Sequence, residues 1–236
     1  MLREIVFDTE TTGLNPLSGD RVVEIGCVEL IDYVPTGENF HVYLNPERDM
    51  PDAAFRVHGL SNEFLRDKPR FVDVADSFEA FIGDAKLVAH NASFDLGFLN
   101  AELSRIGRAE IVSERIIDTL VIARRKFPFG PNNLDALCQR LQIDNSRRTK
   151  HGALLDAEIL AEVYIELLGG RQKDLGLSVE TQVIAHTMTA RASVDARPRS
   201  LPQRLSPDDL DRHAEFISGF GSAILWNDYI RQKTET

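Results

Sequence analysis

Short apolar runs alternate with helical patterns along the first 170 residues of the chain. Runs rich in β-branched and aromatic residues predict strands at residues 3–7, 21–31, 39–44, 86–89 and about 116–117. Apolar positions at helical spacing predict helices at residues 73–82, 94–106, 119–125, 134–141 and 153–168. Strands and helices that alternate at such short intervals are typical of an α/β domain.

Turn and capping residues mark several of these boundaries. The Pro-Thr-Gly segment at residues 35–37 lies between two predicted strands and predicts a hairpin. Ser93 suits the N-terminal cap of the helix at 94–106, and Gly107 ends that helix. A pair of glycines closes the last helical pattern, so we expect the first domain to cover residues 1–170.

The pattern changes after this domain. Residues 171–177 form a short connecting peptide, and residues 178–205 mix Ser, Thr, Ala and Pro with four arginines, which predicts a flexible linker. Ser206 and Pro207, followed by two acids, predict the start of a new helix. The final segment, residues 206–236, is too apolar for a free tail and too short to bury its own apolar side chains. We therefore expect it to dock on a partner.

Composition and charge narrow the class of protein. The chain of 236 residues is 43% hydrophobic, as is usual for globular proteins. It lacks an apolar stretch long enough to span a membrane, and its first residues lack the pattern of a signal peptide. Cys27 and Cys138 lie in apolar segments, which predicts reduced core cysteines in a cytoplasmic protein. The net charge of −10 argues against nucleic-acid binding by bulk electrostatics, but clustered carboxylates are compatible with a metal-dependent nuclease.

Two carboxylates stand two residues apart where the first predicted strand ends. Asp8 and Glu10 point to the same side if the chain is extended there, so both can face one cavity. Such neighbouring acids repel each other unless a cation lies between them, and hard oxygen ligands suit Mg²⁺ or Mn²⁺. The alternative is that both acids merely occupy an exposed strand end.

Two further motifs place acids at the beginnings of helices. Asp95 falls in the first turn after the strand at 86–89, where its alternative role is to stabilise the helix dipole. His151 and Asp156 are five residues apart, which would put them about 140° apart on one helix. They can share a site only if Gly152 leaves His151 on a loop before the helix. The alternative is a surface histidine beside a solvated acid.

Together these motifs resemble those of the DnaQ-like exonucleases of the ribonuclease H-like superfamily. Asp8 and Glu10 match the first family motif, Asp95 matches the second, and His151 with Asp156 matches the third. The third motif has the His-x₄-Asp form that marks the DEDDh branch. Order, spacing and flanking residues agree over most of the predicted domain.

The resemblance implies a fold, an activity and a cofactor. The fold would be α/β, with a five-stranded mixed sheet flanked by helices. The four acids would hold two divalent ions, Mg²⁺ or Mn²⁺, and His151 would take a proton from the attacking water. The implied enzyme is a metal-dependent 3′→5′ exodeoxyribonuclease that releases nucleoside 5′-monophosphates.

The resemblance also implies a substrate site around the catalytic residues. It would comprise Asp8, Glu10, Thr11, Thr12, Leu14, His58 and Asp156. His58 resembles a family position that reaches the substrate phosphate, although a histidine before glycine can also simply stabilise a turn. His90 and Asn91 are expected to order the loop of the second motif rather than to bind substrate.

The connecting peptide resembles a binding motif. Residues 172–177 are similar to the peptide that bacterial proteins insert into the sliding clamp, with Gln172, Leu175 and Leu177 at the matching positions. The alternative is incidental sequence at the end of a helix.

The C-terminal segment resembles the tail by which epsilon subunits of bacterial DNA polymerase III bind the polymerase (alpha) subunit. Leu225 and Trp226 are the expected anchors, since a large aromatic side chain often dominates such contacts. A tether to polymerase and clamp would compensate for the weak DNA affinity of an acidic protein. The implied function is removal of mispaired nucleotides from a single-stranded or frayed primer 3′ end during replication.

Two other functions stay open from the sequence. One is a free-standing DEDDh exonuclease that acts on small RNA or single-stranded DNA, against which the long C-terminal extension argues. The other is a non-catalytic adaptor between clamp and polymerase, against which the presence of all five catalytic positions argues.

Overall fold

The computed structural model describes residues 1–148, 150–170 and 206–219. The chain divides into two compact units, residues 1–178 and 179–236, and each is described by itself. The predicted clamp peptide, the linker and the tail anchors Leu225 and Trp226 lie outside the described residues.

Five strands of the larger unit form one mixed sheet. They are β1 (Arg3–Thr11), β2 (Val22–Ile31), β3 (Val34–Tyr43), β4 (Lys86–Ala89) and β5 (Ile116–Asp118). The strands lie in the order β3-β2-β1-β4-β5. β1 and β3 are antiparallel to β2, whereas β4 is parallel to both β1 and β5. This arrangement confirms the predicted five-stranded mixed sheet.

The described residues contain eight α-helices. They are α1 (Asp52–His58), α2 (Asn62–Leu65), α3 (Phe71–Ile82), α4 (Ser93–Arg105), α5 (Thr119–Lys126), α6 (Leu134–Leu141), α7 (Ala153–Leu167) and α8 (Pro207–Ser218). The five helices predicted for the first domain are confirmed, with ends shifted by one or two residues. The short helices α1 and α2 are additional to the prediction, because each is too brief to show a helical period.

Two predicted boundary features are wrong. The hairpin turn lies at Asp32 and Tyr33, whose φ angles are 49° and 65°, and the segment 35–37 lies within β3. Two consecutive residues with positive φ match the right-handed twist of the paired strands, so a two-residue turn is sufficient. Ser93 does not cap α4, because it is already the first residue of the helix and the cap position is Ala92.

Helices cover both faces of the sheet. Ile5 and Phe7 of β1 pack on one face against α3 and α4, whereas Val6 packs on the other face against α7. This alternation follows from the two-residue period of a strand. α5 and α6 pack in turn against α7. Cys27 and Cys138 are free and buried, as predicted.

In the smaller unit the described residues form α8. The hydroxyl of Ser206 accepts the amide of Asp209, and the Asp209 carboxylate accepts the amide of Ser206. Pro207 occupies the first helical position, so the predicted helix start is confirmed. Across the described part of the chain, none of the helices has the length and hydrophobicity that a membrane crossing needs.

Gly26 of β2 allows α7 to approach the sheet closely. A Cβ atom added at Gly26 would lie 2.2 Å from the backbone nitrogen of Leu154 and 2.3 Å from the carbonyl carbon of Ala153. Gly26 pairs with Asp8 of β1, so this close approach brings the first turn of α7 next to the first motif. Any side chain at Gly26 must therefore push the helix away.

We expect Gly26→Ala to lower the free energy of unfolding by about 1–3 kcal/mol, because the added methyl group overlaps backbone that cannot rotate aside. Urea denaturation measures this. Gly97→Ala is the matched control, since nothing lies within 4 Å of a Cβ added there in α4. That control should match or slightly exceed the wild-type stability. If the two variants were equally stable, the close approach of α7 would be contradicted.

Candidate active site

One cleft of the larger unit gathers the residues that the sequence motifs single out. It has a volume of about 890 Å³ and lies where β1 ends and where α4 and α7 begin. Its lining includes all of the predicted catalytic and substrate-contacting residues: Asp8, Glu10, Thr11, Thr12, Leu14, His58, Asp95, His151 and Asp156. The three motifs, which are distant in the chain, therefore meet in one cavity.

β1 brings the first two motifs together. The strand continues to Thr11, so Asp8 and Glu10 share one side of an extended segment. Glu10 is only 7% exposed, which excludes the alternative of an exposed strand end. Between them, Thr9 donates its hydroxyl over 2.7 Å and its amide over 3.1 Å to Oδ1 of Asp95. The first turn of α4 is thus tied directly to β1.

The third motif has the predicted loop and helix geometry. α7 begins at Ala153, so His151 lies on the preceding loop while Asp156 projects from the helix. Gly152 has a φ of −157°, an extended conformation that any residue can adopt, so its special freedom is not needed here. Nδ1 of His151 lies 3.3 Å from Oδ2 of Asp156. Ligand atoms of Glu10, His151 and Asp156 all lie within 4.8 Å of one another.

Burial and nearby negative charges raise the pKa of three of the acids. Burial, followed by the charges of the other acids in the cleft, raises the pKa of Asp8 well above its ordinary range. Burial and the charge of Asp156 raise the pKa of Glu10 to about 8. Burial is also the main cause that raises the pKa of Asp95 to about 7. The raised pKa values show that ionising these acids in the cavity is unfavourable. Divalent cations would offset the negative charge, so the cavity suits them.

Asp156 behaves differently because a guanidinium contacts it. Burial alone would raise its pKa, but its contacts with His151 and Arg148 hold the pKa of this carboxyl below its ordinary value. Arg148 donates to both Asp156 oxygens, over 2.6 and 2.8 Å. It also donates to Asp135 over 2.7 Å and to Nδ1 of His151 over 2.8 Å. The sequence patterns did not indicate a role for Arg148, because its loop has no periodic pattern.

A second residue that the sequence reasoning missed lies behind Glu10. Glu24 of β2 is the direct cross-strand partner of Glu10 and is buried. Its Oε1 lies 2.8 Å from Nε2 of His41, on the neighbouring strand β3. Like charges directly opposite each other in a sheet are destabilising, and the Glu24 charge contributes to the raised pKa of Glu10. The alternating pattern of β2 holds no separate signal for this role.

The loop after β1 is built by its own threonines. The hydroxyl of Thr11 donates to the carbonyl of Gly13 over 2.6 Å, and the hydroxyl of Thr12 accepts the amide of Arg21 over 3.0 Å. Both threonines are buried, so their side chains hold the loop. Leu14, in contrast, is 84% exposed at the edge of the cleft.

The histidines around the cleft have distinct surroundings. His58 ends α1, and its Nδ1 accepts the amide of Leu60 over 3.0 Å. The ring therefore stabilises the turn and carries its proton on the buried Nε2. His90 lies 2.9 Å from the hydroxyl of Thr119, and the Asn91 amide donates to Asp118. These bonds order the loop of the second motif, as predicted.

Comparison with known proteins shows a consistent set of relatives. The family model described as exonuclease matches residues 5–164. DNA polymerase III subunit epsilon of Rickettsia felis is 52% identical over 227 residues, covering 92% of this chain and 96% of that protein. The subunit of the same name from Salmonella typhimurium is 44% identical over 235 residues, covering 95% and 97%.

Solved structures share the fold. Exonuclease X in complex with 5′ overhanging duplex DNA superposes with a TM-score of 0.56 at 28% identity, covering 72% of this chain and 93% of that one. The nuclease domain of 3′hExo, a DEDDh family member bound to rAMP, has a TM-score of 0.59 at 17% identity, covering 71% and 92%. The second likeness concerns the fold alone.

The raised pKa of Glu10 predicts a pH-dependent stability. The folded protein keeps a proton on Glu10 up to about pH 8, whereas the unfolded chain releases it near the ordinary value of 4.5. The unfolded state therefore binds fewer protons between these values, and stability falls as the pH rises through this window. Glu10→Gln removes the contribution of this carboxyl to the pH dependence. In buffer with a chelator, we expect the variant to have a higher Tm than wild type at pH 8, with the difference shrinking toward pH 5.

Differential scanning calorimetry at both pH values measures the effect. Glu38→Gln, which changes an exposed residue of β3 in the same way, should show no pH-dependent difference from wild type. A Tm difference for Glu10→Gln that is equal at pH 5 and pH 8 would contradict the raised pKa of this carboxyl.

Proposed function

This chain belongs to the exonuclease family, and on that premise we propose that it is the 3′→5′ proofreading exonuclease, or epsilon subunit, of a bacterial DNA polymerase III. The observation that carries the proposal is the meeting of Asp8, Glu10, Asp95, Asp156 and His151 in one cleft. Relatives named DNA polymerase III subunit epsilon match over most of the chain, at 52% and 44% identity in the two cases above. The family of DEDDh exonucleases uses divalent metal ions.

The four carboxylates would hold the cations, which we take to be a pair of Mg²⁺ or Mn²⁺ ions. When bound, the ions supply the positive charge that an in-line displacement at phosphorus requires on its attacking and leaving oxygens. The dense, costly negative charge of the cavity supports this ligand set. Asp95 is positioned for it by Thr9, and Asp156 by the first turn of α7.

His151 is the proposed general base. It lies on a loop at the edge of the cleft, so its ring can reach a water molecule without a change in α7. A neutral imidazole accepts the proton that the water loses as it attacks phosphorus. The bond to the leaving 3′ oxygen then breaks, and a nucleoside 5′-monophosphate leaves.

The substrate is proposed to be a single-stranded or frayed DNA 3′ end. His58 lines the cleft and would contact a phosphate oxygen there, and the exposed side chain of Leu14 would offer an apolar surface to the terminal base. The side chains of Thr11 and Thr12 hold their own loop, so these residues would shape the part of the cleft that meets the terminal nucleotide. The complex of exonuclease X with 5′ overhanging duplex DNA supports DNA as the substrate.

The partners are proposed from the C-terminal sequence. Gln172, Leu175 and Leu177 would bind the sliding clamp, residues 178–205 would act as a linker, and Leu225 with Trp226 would bind the polymerase (alpha) subunit. With these partners the protein would act at the replication fork in the bacterial cytoplasm. Supporting this, the similarity to the relative from Rickettsia felis covers 96% of that protein.

We expect the wild-type chain with Mg²⁺ to remove a mismatched primer 3′ end faster than a matched one, because a frayed end enters the cleft more easily. Asp8→Ala should remove neither, since it deletes a proposed metal ligand. Gel analysis of labelled primers measures both rates, and circular dichroism checks the fold. Asp67→Ala, an exposed acid outside the cleft, should retain the wild-type rate.

Wild-type hydrolysis by Asp8→Ala would refute the proposed site. Equal rates on matched and mismatched ends would refute proofreading while leaving the nuclease assignment intact.

We expect Trp226→Ala in the full chain to weaken binding to the polymerase subunit by about tenfold or more, because buried aromatic anchors carry much of such an interface. Its rate on a free oligonucleotide should match wild type. Surface plasmon resonance with the purified polymerase subunit measures binding. Phe129→Ala, which removes an exposed aromatic side chain of the larger unit, is the control for binding. A wild-type chain that fails to bind the polymerase subunit would favour the free-standing exonuclease.

A further inference from the structure

Arg148 contacts the two residues of the third motif at the same time. Its side chain is only 8% exposed, and its guanidinium bonds both oxygens of Asp156 and Nδ1 of His151. A fourth bond runs to Asp135, at the beginning of α6, whose side chain is largely exposed. In the proposed function Asp156 is a metal ligand and His151 is the general base. The contacts of Arg148 therefore affect both roles.

The consequence for Asp156 is competition. A divalent cation bound by Asp156 must use the carboxylate oxygens that Arg148 now engages over 2.6 and 2.8 Å. Two parallel N–H donors on one carboxylate form the strongest common type of ion-pair hydrogen bond. The fixed positive charge of the guanidinium also repels an approaching cation. Arg148 and a cation therefore oppose each other at Asp156.

The consequence for His151 follows from its hydrogen-bond roles. A guanidinium has N–H donors and no acceptor, so Nδ1 of His151 must be the acceptor over the 2.8 Å contact. The ring is then neutral with its proton on Nε2. The one lone pair through which a neutral imidazole can take a proton from water is occupied by Arg148. While this contact persists, His151 cannot act as the base.

We propose that Arg148 is a positioning residue that sets the divalent-cation requirement of the site. It competes with the cation for Asp156, and when it leaves Asp156 it also frees Nδ1 of His151. Cation binding and readiness of the base are thereby coupled through one side chain. Asp135 also accepts a hydrogen bond from the guanidinium, so Arg148 would keep an acidic partner after it leaves Asp156. The inference rests on the proposed function, since it concerns the same site.

The test is Mn²⁺ binding to the full chain without DNA, measured by isothermal titration calorimetry. We expect Arg148→Ala to lower the Kd for Mn²⁺ by about tenfold, because a competing ion pair is removed from Asp156. Arg148→Lys keeps the charge but cannot bond both oxygens and His151 together. Direct competition predicts that this variant also binds Mn²⁺ more tightly than wild type.

Arg147→Ala is the matched control for charge alone. Arg147 precedes Arg148 in the same loop, is 68% exposed, and pairs with Glu158 rather than with a residue of the cleft. Its Kd should stay within about twofold of wild type, since an exposed charge is screened by solvent. Should Arg148→Ala fail to fold, Arg148→Met fills more of the same space and is expected to shift the Kd in the same direction.

The activity readout is the Mn²⁺ concentration that gives half-maximal hydrolysis. For Arg148→Ala this concentration should fall by the same factor as the Kd. An unchanged Kd in Arg148→Lys would reduce the effect to net charge and overturn the proposal. A drop of more than about tenfold in kcat at saturating Mn²⁺ would also overturn it, because Arg148 would then assist the chemistry.

These outcomes are distinguishable from failure of the proposed function. A wild-type chain that shows no Mn²⁺-stimulated hydrolysis would defeat the exonuclease assignment. The comparison of Kd values would still decide whether Arg148 competes with a cation for Asp156.

Discussion

The burial of four neighbouring carboxylates in one cavity is the constraint on which this structure depends. Asp8, Glu10, Asp95 and Asp156 line this partly buried cavity, and burial together with nearby negative charge raises the pKa of the first three. Only bound protons, divalent cations or a neighbouring cationic side chain can offset such a concentration of charge. Protons, cations and a cationic side chain compete for the same carboxylates, and only the cations support the proposed hydrolysis. The occupancy of the carboxylates by each of them therefore decides when the site can act.

Backbone geometry brings these groups together. The period of β1 puts Asp8 and Glu10 on one side, while the intervening Thr9 binds Asp95 from α4. On the face of the sheet that carries Asp8 and Glu10, Gly26 of β2 allows the first turn of α7 to lie against the sheet. The acids are thus held by parts of the structure that would be stable without them, and the hydrophobic core on both faces supplies that stability. Burial of the four acids lowers the free energy of unfolding, and the hydrophobic core offsets this loss.

Much of this arrangement was predictable because it is local or periodic. The strand of the first motif, the loop position of His151 and the helix of Asp156 follow from patterns of a few residues. The hairpin turn was mispredicted because Asp32 and Tyr33 adopt positive φ without glycine, while a Pro-Thr-Gly segment nearby carries the stronger turn signal. The helices α1 and α2 are shorter than the window in which a helical period can be recognised.

The amino-acid sequence by itself determined the kinds of groups that the site contains, the elements that carry most of them, and the family to which the chain belongs. These properties reside in residue types and short spacings, which the linear order preserves. Only the tertiary structure decided that Arg148 engages Asp156 and His151 together, and that Glu24 stands opposite Glu10. Such contacts depend on strand register and on the path of an irregular loop. Both are set by packing between distant segments, so no local pattern records them.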